Sequence, residues 1–168
     1  MWLPPSVNAR ARMALGALIP LIGGCGFRLA GSEPLPAVMA TPYLEVQDSY
    51  TDFAREFDRQ LKGSGARIQA QDAGASATVL VSRDEVRRRV LSVSANNIPT
   101  EYELTYTVTI AVRSSGKEIL TPQTLSLARD YSFDENTLLA KENEEDVLRV
   151  QMARDLAVIA TRRLLSLK

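Results

Sequence analysis

Between Glu101 and Val112 the side chains alternate without a break: Tyr102, Leu104, Tyr106, Val108, Ile110 and Val112 against Glu101, Glu103, Thr105, Thr107, Thr109 and Ala111. A period of two admits a strand and excludes a helix, which would scatter the apolar set around its whole circumference. One face is apolar and the other polar or small, so the strand belongs to an antiparallel sheet covered on one side only. Ser114-Ser115-Gly116-Lys117 supplies a hairpin turn. Beyond it Leu125, Leu127, Arg129, Tyr131 and Phe133 alternate with Thr124, Ser126, Ala128, Asp130 and Ser132. Pro122 lacks an amide hydrogen, which places the start of this strand at an edge or a bulge.

Upstream, Tyr43–Val46 can serve as the first strand, and Thr78–Val81 and Val86–Val93 read as two more. The last carries Arg87, Arg88 and Arg89, of which at most two can share a face. Tyr50, Phe53, Ala54, Phe57 and Leu61 form one helical stripe, with Ser49 and Asp52 as an expected capping box and Gly63 as the stop. Ala66-Arg67-Ile68 then reads as the return strand of a strand-helix-strand unit. A second helix is predicted from Asn143 to Leu167, about 38 Å long. Its stripe is Leu148, Met152, Leu156, Ile159, Ala160 and Leu164, widened by Val147, Val158 and Leu165. Acids at its start and Arg162, Arg163 and Lys168 at its end match the helix dipole. The expected fold is α+β: two helices packed on one face of a four- or five-stranded mixed β-sheet, the other face open.

The beginning of the chain reads differently. Arg10 and Arg12 precede an acid-free apolar run, Leu15 to Ile22, that ends in Gly23, Gly24 and Cys25, the only cysteine. This is the pattern of an export signal. Ile22-Gly23-Gly24-Cys25 looks like the lipobox of bacterial lipoproteins, a resemblance that implies diacylglycerol on the Cys25 sulfur, cleavage before it and acylation of the new amino terminus. The competing reading is a short apolar helix with a buried free cysteine. Residues 1–24 are therefore expected to be a lipoprotein signal peptide, 25–42 a proline-broken lipidated tether, and 43–168 a single domain.

Removing residues 1–24 from the 168 leaves 144, and the 20 basic residues fall to 18 against 20 acidic once Arg10 and Arg12 are gone. So balanced a charge argues against a nucleic-acid binder. Histidine is absent, so no Ser-His-Asp triad can form, and an acylated Cys25 leaves neither a thiol nucleophile nor a soft metal ligand. No spacing recommends a carboxylate pair, a metal cluster or a phosphate loop. Beyond the covalent lipid on Cys25, no cofactor is expected.

Taken in order, several blocks resemble the family of LPS-assembly lipoproteins LptE. They are Gly24-Cys25-Gly26-Phe27-Arg28-Leu29, the basic helix Phe53 to Lys62 closing on Gly63-Ser64-Gly65, Thr100-Glu101-Tyr102-Glu103-Leu104, and Leu139-Ala140-Lys141-Glu142-Asn143-Glu144-Glu145-Asp146. The resemblance implies a non-enzymatic outer-membrane protein, lipid-anchored on the periplasmic side. Its body would plug the β-barrel LptD, and the pair would insert lipopolysaccharide into the outer leaflet. Lipopolysaccharide offers phosphates and acyl chains, so a binder needs cations beside apolar surface.

In the family, basic residues in the turn before Glu-Tyr and in the Ala-Lys segment are associated with lipopolysaccharide contact. Lys141 matches the second. The turn here, Ser94 to Pro99, has no cation, and Arg87, Arg88 and Arg89 are the candidates to compensate. Without the resemblance, Lys141 is a solvated lysine among acids and the arginines are a solvated strand edge or a contact with the barrel wall. Two other classes remain: an envelope lipoprotein of another interaction type, such as a barrel-assembly accessory or peptidoglycan-associated anchor, and a lipid-anchored hydrolase.

Overall fold

A computed structural model describes the backbone of residues 35–132 and 138–167, and side chains for 35–132 and 144–167. Cys25, the signal segment and the tether as far as residue 34 lie outside the described residues, as does Phe133. Among the described residues are four strands, β1 (Tyr43–Val46), β2 (Thr78–Val93), β3 (Pro99–Ser114) and β4 (Lys117–Ser132), and two helices, α1 (Asp52–Gly63) and α2 (Leu138–Leu165). The sheet order is β1-β2-β3-β4. β1 runs parallel to β2, and the other two pairings are antiparallel. The expected mixed sheet under two helices is the observed one.

The alternation that defines β3 produces the core. Leu104, Tyr106, Val108, Ile110 and Val112 are buried, with Val79 and Val81 from β2, against Phe53, Phe57 and Leu61 of α1 and Met152, Leu156 and Leu164 of α2. The opposite face carries Thr105, Thr107 and Thr109, and neither helix covers it. Hydroxyl pairs cross that face, Thr107 with Ser126 and Thr109 with Thr124, both at 3.0 Å. The β3–β4 turn is tight because Ser115 (φ 51°) and Gly116 (φ 77°) both adopt the left-handed region a two-residue hairpin requires.

Several local expectations are corrected. Thr78–Val81 and Val86–Val93 are one continuous strand, broken in register by a bulge between Val81 and Arg83. One extra residue reverses the phase of the alternation. Before it Val79 and Val81 pair with the buried Val112 and Ile110; after it Asp84, Val86 and Arg88 pair with Val108, Tyr106 and Leu104. Pro122 lies in a comparable register shift of the edge strand β4, between the pairs Val112–Leu120 and Ile110–Gln123.

Ala66–Ile68 is not a strand; Gln69 makes a single bridge to Tyr43, and β1 finds its parallel partner in β2. The cap of α1 is Thr51, whose hydroxyl accepts from the Ala54 amide at 3.1 Å, rather than Ser49. Tyr50 consequently precedes the helix and is 80% exposed, where the stripe had placed it in the core.

On α2 the expected line Met152, Leu156, Ala160 and Leu164 is buried, but it is widened on the side of the alanines. Ala153, Ala157 and Ala160 are buried, whereas Val147 is 56% exposed. α2 packs against α1, and small side chains on a covered face permit close approach of two helices. The last residues of the expected 25–42 tether are part of the folded domain. Met39, in a short 3-10 turn (Ala37–Met39), is fully buried, and the segment is fastened by Arg67 N–H to Ala40 O at 3.0 Å and Gln69 N–H to Pro42 O at 2.8 Å.

Candidate functional site

The arginine run sits on the half of β2 nearest the β2–β3 turn. The bulge decides which way each points. Arg87 and Arg89 emerge on the open face, where Arg87 meets Glu85 at 3.3 Å and Arg89 meets Glu103 at 3.0 Å. Both pairs are largely solvated and worth little. Arg88 emerges on the helix-bearing face. Its guanidinium lies 4.9 Å from the centroid of the Tyr102 ring, and its Nη1 donates to Glu145 Oε2 at 3.0 Å. Tyr102 stacks on Tyr131 with centroids 5.6 Å apart, and the Tyr131 hydroxyl donates to the same Glu145 oxygen.

Three elements therefore meet at one carboxylate: β2 through Arg88, β4 through Tyr131 and α2 through Glu145. Burial works against the charge of Glu145, but the Tyr131 and Arg88 hydrogen bonds outweigh it and hold its carboxyl below the ordinary range. Burial, then the bond to Glu145, pushes the Tyr131 hydroxyl up to about 12, so it remains a donor at neutral pH. The strand beyond Arg88 is unusually apolar for its exposure. Val90, Leu91 and Val93 all stand open to solvent, next to a turn without charge.

Lys141 falls within α2, four residues before Glu145, but its side chain lies outside the described residues. The four expected cations thus divide: two on the open face, one on the covered face, and one on the helix. The sequence missed Tyr102, Tyr131 and Glu145 as partners of Arg88. The first two were visible as members of alternating stripes, but that they stack depends on the β3–β4 register, in which Tyr102 opposes Tyr131.

A second polar centre lies under α1. Asp84 accepts from Tyr106 Oη at 2.9 Å and from Thr51 Oγ1 at 2.5 Å, and its carboxyl is raised by burial, which the two hydroxyl bonds only partly offset. Both hydroxyls also serve helix amides, so this centre is occupied in building the fold. At the far end of the sheet a cavity of about 380 Å³ is lined by Asp72, Thr78, Arg113 and Ser115. There Thr78 donates to Asp72, and Arg113 donates to Glu45 at 3.1 Å. Among the described residues no three potential metal ligands come together, and no helix is long and apolar enough to cross a membrane.

A sequence model described as LptE: Lipopolysaccharide-assembly matches residues 39–164. The LPS-assembly lipoprotein LptE of Pectobacterium atrosepticum is 28% identical over 157 residues, covering 92% of this chain and 84% of that protein. Its counterpart in Yersinia enterocolitica is 29% identical over 154 residues, covering 91% and 74%. The crystal structure of rare lipoprotein B from Shewanella oneidensis superposes with a TM-score of 0.66 at 28% identity, covering 75% of this chain and 94% of its own. The solution structure of a lipoprotein B from Nitrosomonas europaea shares the fold, with a TM-score of 0.70 at 23% identity over 84% and 91% of the two chains. Since the matched segment runs from the buried Met39 through all four strands to the end of α2, the chain belongs to the LptE family of lipopolysaccharide-assembly lipoproteins.

Proposed function

We propose that this protein is the lipid-anchored partner of the LptD β-barrel in the outer membrane, acting as plug and assembly aid while the pair delivers lipopolysaccharide to the outer leaflet. The observation that carries the reading is the family match over residues 39–164. The architecture supports it physically. A sheet with one open face, carrying paired threonine and serine hydroxyls at one part and the Arg87 and Arg89 ion pairs at another, presents a polar surface to a neighbouring wall. Binding there needs no reaction chemistry, and the chain has no histidine with which to run the commonest kind.

The anchor in this reading is diacylglycerol on Cys25 after loss of residues 1–24. Because Met39 is fully buried in the domain, any tether in this reading is shorter than 25–42. Two or three acyl chains hold a protein stably at a bilayer surface. Lys141, Arg87, Arg88 and Arg89 are the cations we assign to lipopolysaccharide.

Extraction from native membranes in mild detergent tests the partnership. Recovery in a stable stoichiometric complex with a large β-barrel is expected; recovery as a lone monomer would count against the plug. Lys141→Asp is expected to weaken lipopolysaccharide binding and leave barrel association intact. Cys25→Ser is expected to abolish processing and lipid labelling, with the unfolding temperature of the domain unchanged.

A further inference from the structure

The Glu145 carboxylate lies where an external anion would lie. Its Oε2 accepts from the Arg88 guanidinium at 3.0 Å and from the Tyr131 hydroxyl, and the Tyr131 ring is itself stacked on Tyr102. The Tyr102 face holds the guanidinium independently of the carboxylate, at 4.9 Å from its centroid. The place is reached from the Arg88 side: that side chain is 53% exposed and that of Glu145 25%, while Tyr131 is buried at 8%. Val90, two residues along on the same face, is 46% exposed.

We propose that Arg88 and Tyr131 form a binding site for the phosphate group of an anionic amphiphile, and that Glu145 fills this site in the free chain as an internal surrogate. The inference rests on the lipopolysaccharide reading above and specifies the site and its control. A phosphate oxygen accepts from a guanidinium and a phenol in the same geometry as a carboxylate oxygen, with more charge and more acceptor atoms. It can therefore displace a glutamate whose pair with a half-exposed arginine is weak. The neighbouring apolar strand end offers acyl chains a surface within reach of the same headgroup. Arg87 and Arg89, on the opposite face, lie outside this site. The surrogate sets a threshold: a ligand must bind better than Glu145 does before Arg88 is released to it.

The test is lipopolysaccharide binding to the purified full chain, by titration, for the wild type, Glu145→Gln, Arg88→Gln and the double variant. Glu118→Gln, at the far end of β4, controls for net charge. Glu145→Gln is expected to bind about three- to tenfold more tightly and Arg88→Gln about three- to tenfold more weakly. The double variant should bind no more tightly than Arg88→Gln, and Glu118→Gln should match the wild type. Lipopolysaccharide stripped of its phosphates should lose the Glu145→Gln gain. Should Glu145→Gln fold poorly, Glu145→Asp keeps the charge but withdraws it by one methylene, and an intermediate gain is expected.

A Glu145→Gln affinity equal to the wild type, or a gain that survives in the double variant, overturns the proposed site while leaving lipopolysaccharide binding intact. Absence of binding by the wild type overturns the lipopolysaccharide reading itself, and the site with it.

Discussion

Tyr106 donates its hydroxyl to Asp84 at 2.9 Å while accepting from the backbone amide of Phe53 at 3.1 Å. Thr51 does the same one step along, donating to Asp84 at 2.5 Å and accepting from the Ala54 amide at 3.1 Å. The first turn of a helix has amides without intrahelical partners, and here two of them are satisfied by hydroxyls oriented by one carboxylate of the sheet. The start of α1 is thereby fixed to β2 and β3.

This arrangement makes Tyr106→Phe more than the loss of one bond. It strands a buried amide and removes a donor from a half-buried acid, and a cost of about 1–3 kcal/mol is expected. Thr51→Ala should cost about 1 kcal/mol. Both act through Asp84, so the double variant should lose less than the sum in urea unfolding. Strict additivity would show two independent anchors instead.

Acid sensitivity should separate the carboxylates. Asp84 is raised above the ordinary 3.8 by burial, so the folded state takes up its proton more readily than the unfolded chain. Its contribution is favourable at low pH and is lost as pH climbs from about 4 through the raised value. Asp52 behaves oppositely: burial opposes its charge, but the guanidinium bonds of Arg149 and Arg55 prevail and hold it below 3.8. Its contribution is present above that value and is lost as pH falls through the lowered one. Asp52→Asn should therefore cost about 1 kcal/mol at neutral pH and converge with the wild type once pH falls below the lowered value. Asp84→Asn should remove the decline on the way up. Denaturation midpoints measured across this range decide both.

Thr161 sits in α2 at 2% exposure, and among the described residues its Oγ1 has no hydrogen-bond partner. A buried, unpaired hydroxyl is a standing cost. Thr161→Val keeps the shape and deletes the polar atom, and a gain of about 1 kcal/mol is expected in thermal or urea unfolding. No gain would mean that the hydroxyl is satisfied in solution.

The widened stripe of α2 can be checked by a pair of substitutions. Ala157 is 1% exposed beneath the helix, and Ala157→Leu should cost about 1–3 kcal/mol by overpacking. Val147 is exposed on the other side, and Val147→Ala should change stability by less than about 0.5 kcal/mol. The reverse ranking would restore the stripe that the larger apolar residues suggest.

Much of this protein is local and therefore legible in its sequence. The period-two run of β3, the Ser115-Gly116 turn, the Tyr43–Val46 strand and the stripe Phe53, Phe57, Leu61 each express a preference that neighbouring residues already satisfy. Hydrophobic periodicity carries such information because the side chains that share a face are set by backbone geometry alone. The same patterns fixed the class of fold, since a one-sided sheet must be covered by the apolar stripes of two helices.

What the sequence could not determine lies in pairings between distant segments. One bulged residue before Arg83 chooses which arginines face the helices, and nothing in Val81-Ser82-Arg83 marks it. The Tyr102–Tyr131 stack and the glutamate that meets Arg88 across 57 positions exist only once register and helix placement are set. The side of α2 that is covered carries alanines and not Val147, because packing is a property of two surfaces, not of one. The sequence alone thus determined the elements, their order and the shape of the core. Tertiary structure decided the direction of each charge, because a charge is placed by the partner it meets and that partner is rarely nearby in the chain.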